Sequence, residues 1–205
     1  ITYPVAQRTF TLAQDFAVPS FRHEGRYHTG EDWYGGRGTS VLQPVRAAAA
    51  GRVMYSYSQA WGRDAGVVIL EHTFPDDSVA YTVYGHLQNT AGSPLPQVFD
   101  CVSIGQVLGV VADVRPAPHL HFEVRVSDPN NPGPGYVVAH PTTLGYREPK
   151  KFITNQQAWL DPAHLWHVST GDERGPLAPP LLLNDNSMLY LDGGRTLRRA
   201  TQDGR

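Results

Sequence analysis

The segment Pro118-His119-Leu120-His121-Phe122-Glu123-Val124-Arg125-Val126 sets two imidazoles two residues apart in a strictly alternating run. Side chains on a strand alternate between faces. His119, His121, Glu123 and Arg125 then share one face, and Leu120, Phe122, Val124 and Val126 share the other, which is expected to bury in the core. Taken alone, the two histidines read equally well as an exposed surface pair. A second element, His28-Thr29-Gly30-Glu31-Asp32, sets an imidazole and a carboxylate four residues apart across a glycine. A turn or a helical turn could bring both to one ion, and the surrounding glycines disfavour the helix. A third, Tyr84-Gly85-His86-Leu87, is expected to turn sharply at Gly85 and hold His86 at a rim.

Together these residues suit a metal. Two ring nitrogens and one carboxylate oxygen make a three-ligand set that leaves a zinc position open for water, as catalytic sites do. A structural zinc site uses four protein ligands, often cysteines, and the chain has one cysteine, Cys101. That cysteine also rules out an internal disulfide. Two further histidines remain to handle protons. Glu123 could orient a ligand imidazole, although the simpler expectation is a solvated carboxylate.

The elements that must position these groups read as short strands. Val/Ile/Tyr/Thr runs at Arg8–Leu12, Gly51–Tyr57, Gly66–His72, Val79–Tyr84, Cys101–Val111 and His119–Val126 are broken by Gly, Pro, Asp and Asn. That spacing predicts an all-β domain of antiparallel sheets. Asp128 to Gly135 is a turn-rich insertion, and residues 155–166 could hold a minor helix interrupted at Asp161-Pro162. The organisation expected is one domain over residues 1–167, with a motif core at 25–126 and a loop insertion at 127–150. Residues 168–205 would be a linker and extension, part of a further β module. The chain has 205 residues and a formal net charge of -2, so nucleic acid is not an expected partner. No apolar run approaches the roughly 20 residues of a membrane helix. No signal-peptide pattern follows Ile1.

HxxxD, then Tyr-Gly-His-Leu, then HLHFE on a strand resembles the ordered pattern of the lysostaphin/LytM family of metallopeptidases. Pro44–Val53, Trp61–His72 and Val102–Gly109 resemble the strands and turn between those motifs, and Asp161-Pro162-Ala163-His164-Leu165 resembles the family's closing segment. The resemblance implies the LytM-type fold with a groove and a Zn²⁺ cofactor held by His28, Asp32 and His121. It also implies catalytic roles for His86 and His119, and a zinc metalloendopeptidase acting on peptidoglycan peptides or other small-residue peptides. It implies a place outside the cell or in its envelope. Some relatives keep the fold but lose the ligands and act as silent regulators or binding modules; all five positions are filled here.

The chain departs from the family pattern before HLHF, where Ala112–Pro118 is shorter than usual, and in the insertion after Val126. Either change bears on which substrate fits. Tyr27 precedes HxxxD but matches no assigned tyrosine. Trp33 and Tyr34 would line the groove or pack. His23, His72, His140, His164 and His167 read as surface or satisfied core residues. A two-histidine iron oxygenase needs HxD, which is absent. A swinging-arm carrier needs a lysine at a hairpin tip, and the two lysines are Lys150 and Lys151.

Overall fold

The computed structural model describes residues 1–61, 65–74, 78–160, 181–182, 188–191 and 197–200. One compact unit comprises Ile1–His72 and Val79–Thr154. Its strands are β1 (Thr11–Gln14), β2 (Tyr27–His28), β3 (Glu31–Tyr34), β4 (Pro44–Arg46), β5 (Gly51–Trp61), β6 (Ala65–Thr73), β7 (Val79–Gln88), β8 (Cys101–Val102), β9 (Val107–Val111), β10 (Leu120–Arg125), β11 (Tyr136–Val137) and β12 (Tyr146–Arg147). Ten of them form one sheet along the path β1-β3-β10-β7-β6-β5-β8, with β12 beside β10 and β9 joining β4 to β7. The pairings of β10 with β3, β7 and β12 are antiparallel. β11 pairs with β2 in a separate ribbon. A second unit comprises Thr73–Ser78 and Asn155–Arg205. It contains an antiparallel three-stranded sheet, β13 (Leu181–Leu182), β14 (Met188–Leu191) and β15 (Leu197–Ala200).

The all-β, antiparallel expectation holds. β5 to β10 sit in the β-branched runs, whose side chains pack well on a pleated, half-buried surface, whereas β1 starts later than the Arg8–Leu12 stretch and β2, β3, β4, β11 and β12 fall outside the runs. One face of β10 packs Leu120, Phe122 and Val124 into the core, with Phe122 opposite Tyr84 at a ring distance of 5.3 Å.

Three expectations need correction. The polar face of β10 is not open: all six of its residues are buried, Glu123 and Arg125 included, whereas Val126 is half-exposed. The turn-rich insertion covers that face. The Arg125 guanidinium donates to the carbonyls of Asn131 (2.6 Å) and Pro132 (2.8 Å) and lies 3.0 Å from Glu123 Oε2. The insertion thereby answers part of the hydrogen-bonding demand of a charge removed from water, although Arg125 Nε is buried without a partner.

Second, Gly85 makes no turn. β7 runs through it to Gln88, and the irregularity falls on His86, whose φ is 61°. Third, the helix begins earlier than expected: α2 spans Pro149–Leu160 after a single helical turn, α1, at Arg37–Ser40. Proline suits a helix start because its missing N–H has no intrahelical partner there. Asp161-Pro162, the closing segment to Leu165, His164 and His167 lie outside the described residues.

Candidate metal centre and groove

β-Sheet register builds the centre. β3 pairs with β10 so that Asp32 lies opposite His121, and β7 pairs with β10 so that Gly85 lies opposite His121 on the other side. His28 ends β2 and reaches the same point across the Thr29-Gly30 turn, so the HxxxD spacing works through two strands and not a helix. Gly30 is required there: a Cβ on it would come within 2.8 Å of Glu123 Cγ and 3.0 Å of His121 Nε2.

Three donor atoms converge. His28 Nε2 lies 3.0 Å from His121 Nδ1 and 3.2 Å from Asp32 Oδ1, and His121 Nδ1 lies 2.9 Å from Asp32 Oδ1. Zinc ligands at about 2.0–2.1 Å in a tetrahedron would be about 3.3 Å apart, so this spacing fits one small ion. The other ring atoms are already committed. His28 Nδ1–H donates to the Asp15 carbonyl (3.1 Å), which leaves the Nε2 lone pair facing the centre. His121 Nε2–H donates to Glu123 Oε1 (2.9 Å), and the Thr29 hydroxyl donates to the same oxygen. Glu123 is therefore a buried partner of a site imidazole and not the solvated carboxylate expected.

Electrostatics follow the geometry. Burial opposes the charge of Asp32, but the imidazoles of His121 and His28 beside it outweigh burial and hold the carboxyl well below its usual range. Burial likewise opposes a charged His121, yet hydrogen bonds to Asp32 and Glu123 win and raise it to about 9. An imidazole between two carboxylates carries either two protons or a proton and a metal. The donor set therefore fits a divalent cation replacing the Nδ1 proton.

His119 and His86 stand beside this cluster with ring centroids 4.5 Å apart. His119 Nδ1–H donates to the Ala117 carbonyl (2.7 Å), so its Nε2 lone pair faces inward, 3.5 Å from Asp32 Oδ1. Strict alternation would turn His86 away from the face of Gly85 and His121. The left-handed backbone at His86 breaks that alternation and brings the ring in, at a cost of about 1–2 kcal/mol. Burial first, then the neighbouring imidazoles, pushes His86 down to about 3. The structure thus gathers His28, Asp32, His121, His86 and His119 at one locus.

The chain matches the sequence model of peptidase family M23 over residues 26–132, just over half its length. It belongs to that family. It is therefore a peptidase. Solved structures agree on the lysostaphin/LytM-type fold. The antimicrobial peptidase lysostaphin from Staphylococcus simulans aligns with a TM-score of 0.54 at 16% identity, covering 92% of this chain and 65% of that one. The lysostaphin catalytic domain alone aligns at 0.51 and 21% identity, covering 72% and 94%. The catalytic domain of a mutant of the prophage-encoded M23 protein EnpA from Enterococcus faecalis aligns at 0.50 and 21%, covering 72% and 95%. No curated protein matches the chain.

In this M23 peptidase a groove of about 640 Å³ opens over Asp32, His86, His119 and His121, while His28 is fully buried. Several of its walls escape sequence reasoning. Trp61 packs on His121 and His86 at 4.6 and 4.8 Å and donates its indole N–H to the Gly133 carbonyl (2.7 Å). Gly85 makes the room: a Cβ there would overlap the Trp61 ring. A strand glycine signals close approach of another group, and that was the available clue. Tyr136, from the insertion, stacks on His23 at 3.7 Å and lies 5.0 Å from His28. Its hydroxyl donates to Gln14 Oε1 (2.9 Å), and burial with the nearby Asp32 charge pushes it up to about 12. Tyr27 does not line the groove; its ring faces His140. Tyr34 lines the groove, whereas Trp33 is buried and donates to Glu31. His72 is buried, with Ala50 and Thr82 as partners. Among the described residues no helix is long and apolar enough to cross a membrane.

Proposed function

We propose that this peptidase is a zinc-dependent endopeptidase that hydrolyses peptide bonds in short peptides or cross-bridges of bacterial peptidoglycan, outside the cell or in its envelope. The observation that carries the reading is the convergence of His28 Nε2, Asp32 Oδ1 and His121 Nδ1 within 3.2 Å of one another, with the remaining ring nitrogens tied to other partners. His28, Asp32 and His121 would hold the ion. When bound, zinc acidifies a water and polarises a carbonyl.

The residues around the ligands do the rest. His119, with Nδ1–H fixed on Ala117, presents a lone pair and is the base that takes the proton of the attacking water. His86 stays neutral at pH 7, because burial keeps it far below that pH. A neutral ring offers an N–H to the oxygen that gains charge in the transition state, where donors act most strongly. Trp61 and Tyr136 shield the ligands and strengthen these interactions by excluding water. The same reading assigns residues 1–167 to the peptidase domain and 168–205 to a linker and extension.

The test is metal content by elemental analysis together with hydrolysis of peptidoglycan fragments. About one zinc per chain, lost in His121→Ala along with activity, supports the proposal. A wild type that holds no zinc when it is supplied moves the reading to a silent regulator or binding module.

A further inference from the structure

The charges on the groove rim are one-sided. Arg22, His23 and Arg115 line the groove, and Asp32 is the sole carboxylate lining it among the described residues. Asp32 is already engaged by His28 and His121. Two carboxylates beside the groove-lining loops are also engaged. Glu24 is paired with Arg26 (3.4 Å), and Asp113 is paired with Arg37 (2.5 Å). Arg37 also donates to the Pro116 carbonyl, so it clamps the loop on both sides of Arg115. Arg22 and Arg115 have no ion-pair partner among the described residues. Both arginines line the groove at its exposed rim.

A guanidinium without an internal acceptor, on a wall held in place, suits a planar anion. We propose that this groove selects peptides bearing a free carboxylate close to the scissile bond, read by Arg22 and Arg115, over uncharged peptides such as an all-glycine bridge. The inference rests on the endopeptidase reading and adds the class of substrate to it. Both arginines are exposed, so the gain is modest and salt-sensitive. Charge complementarity at a rim acts on recognition and encounter more than on the chemical step.

The experiment uses two synthetic cross-linked peptides, identical except that one carries a free glutamyl α-carboxylate and the other its carboxamide. The zinc-loaded full chain is expected to favour the carboxylate by about tenfold in kcat/KM, mostly through KM, and less so as NaCl is raised. In Arg22→Gln/Arg115→Gln, with zinc content and Tm checked, the ratio is expected to fall toward one. Arg115→Lys is expected to keep part of the preference. A wild-type ratio near one, or a preference that survives in the double variant, overturns the proposal. Should either criterion of folding fail in the double variant, the single variants carry the same comparison. If neither peptide is cut, the endopeptidase reading fails, and calorimetry on the same two peptides still decides the charge. Tighter binding of the carboxylate that the arginine variants abolish sustains it; equal binding, or none, overturns it.

Discussion

Glu123 Oε1 lies 2.9 Å from His121 Nε2, on a carboxylate with no solvent exposure. That contact fixes which nitrogen of His121 is protonated and therefore which one faces Asp32. Partners of this kind typically carry 10- to 100-fold in metal affinity. Glu123→Gln is expected to weaken zinc binding by about that factor, measured by chelator competition. Glu123→Ala is expected to cost stability as well, because it strands the buried Arg125. Unchanged affinity in Glu123→Gln would mean that the carboxylate merely balances Arg125.

His119→Ala and His86→Ala separate proton handling from metal holding. Neither ring belongs to the converging triad, so both variants are expected to keep zinc. Loss of a general base costs about 10²–10⁴ in rate, and loss of an oxyanion donor about 10²–10³. Both are expected to lower kcat more than they raise KM. The assignment reverses if His119→Ala loses its metal while His121→Ala retains it.

Much of the centre was legible because strand alternation and register are local rules. His121 on β10 and Asp32 on β3 needed little more than a strand pattern and a spacing. The rest depended on chain that is distant in sequence. Glu123 has the right face by alternation, yet it is covered by chain far away in sequence: Thr29 and Gly30 lie against it, and residues 131–132 hold its partner Arg125. Arg115 comes from a loop, Arg22 from a single 3-10 turn and Tyr136 from a two-residue strand, all too short for a period to predict direction. His86 broke alternation through a single left-handed residue, which sequence gives no reason to expect outside glycine. The antiparallel class followed from strand spacing, but the path β3-β10-β7 did not, because long-range pairing leaves no local mark.

Gly85→Ala tests the Trp61 contact. The new Cβ would overlap the indole ring that packs on His121 and His86. Forcing atoms into a packed site costs about 1–3 kcal/mol. The variant is expected to lower the urea midpoint and, by shifting Trp61, reduce kcat. Relief is expected in Gly85→Ala/Trp61→Phe, whose smaller ring leaves space. A double variant no more stable than Gly85→Ala alone would place the strain elsewhere.

Glu31 gives the protein a distinctive acid response. It sits on the core face of β3, where Oε1 accepts from the Lys150 backbone N–H (2.9 Å) and Oε2 from the Trp33 indole (3.1 Å). Burial raises its pKa to about 7 despite those two bonds, and the charges of Asp15 and Glu148 push the same way. The folded state therefore holds a proton that the unfolded chain releases near the ordinary glutamate value of 4.5. This contribution to stability is full below that value and is lost as pH rises through about 7. The loss is on the order of 2 kcal/mol after allowing for solvent screening. Glu31→Gln removes the titration and surrenders one acceptor at every pH. Urea unfolding of both proteins without metal, at several values between pH 4.5 and 7.5, isolates the effect, since the histidine titrations are common to both. The wild type is expected to lose stability relative to Glu31→Gln as pH rises. A flat difference, or one of opposite sign, would show that Glu31 is ionised throughout.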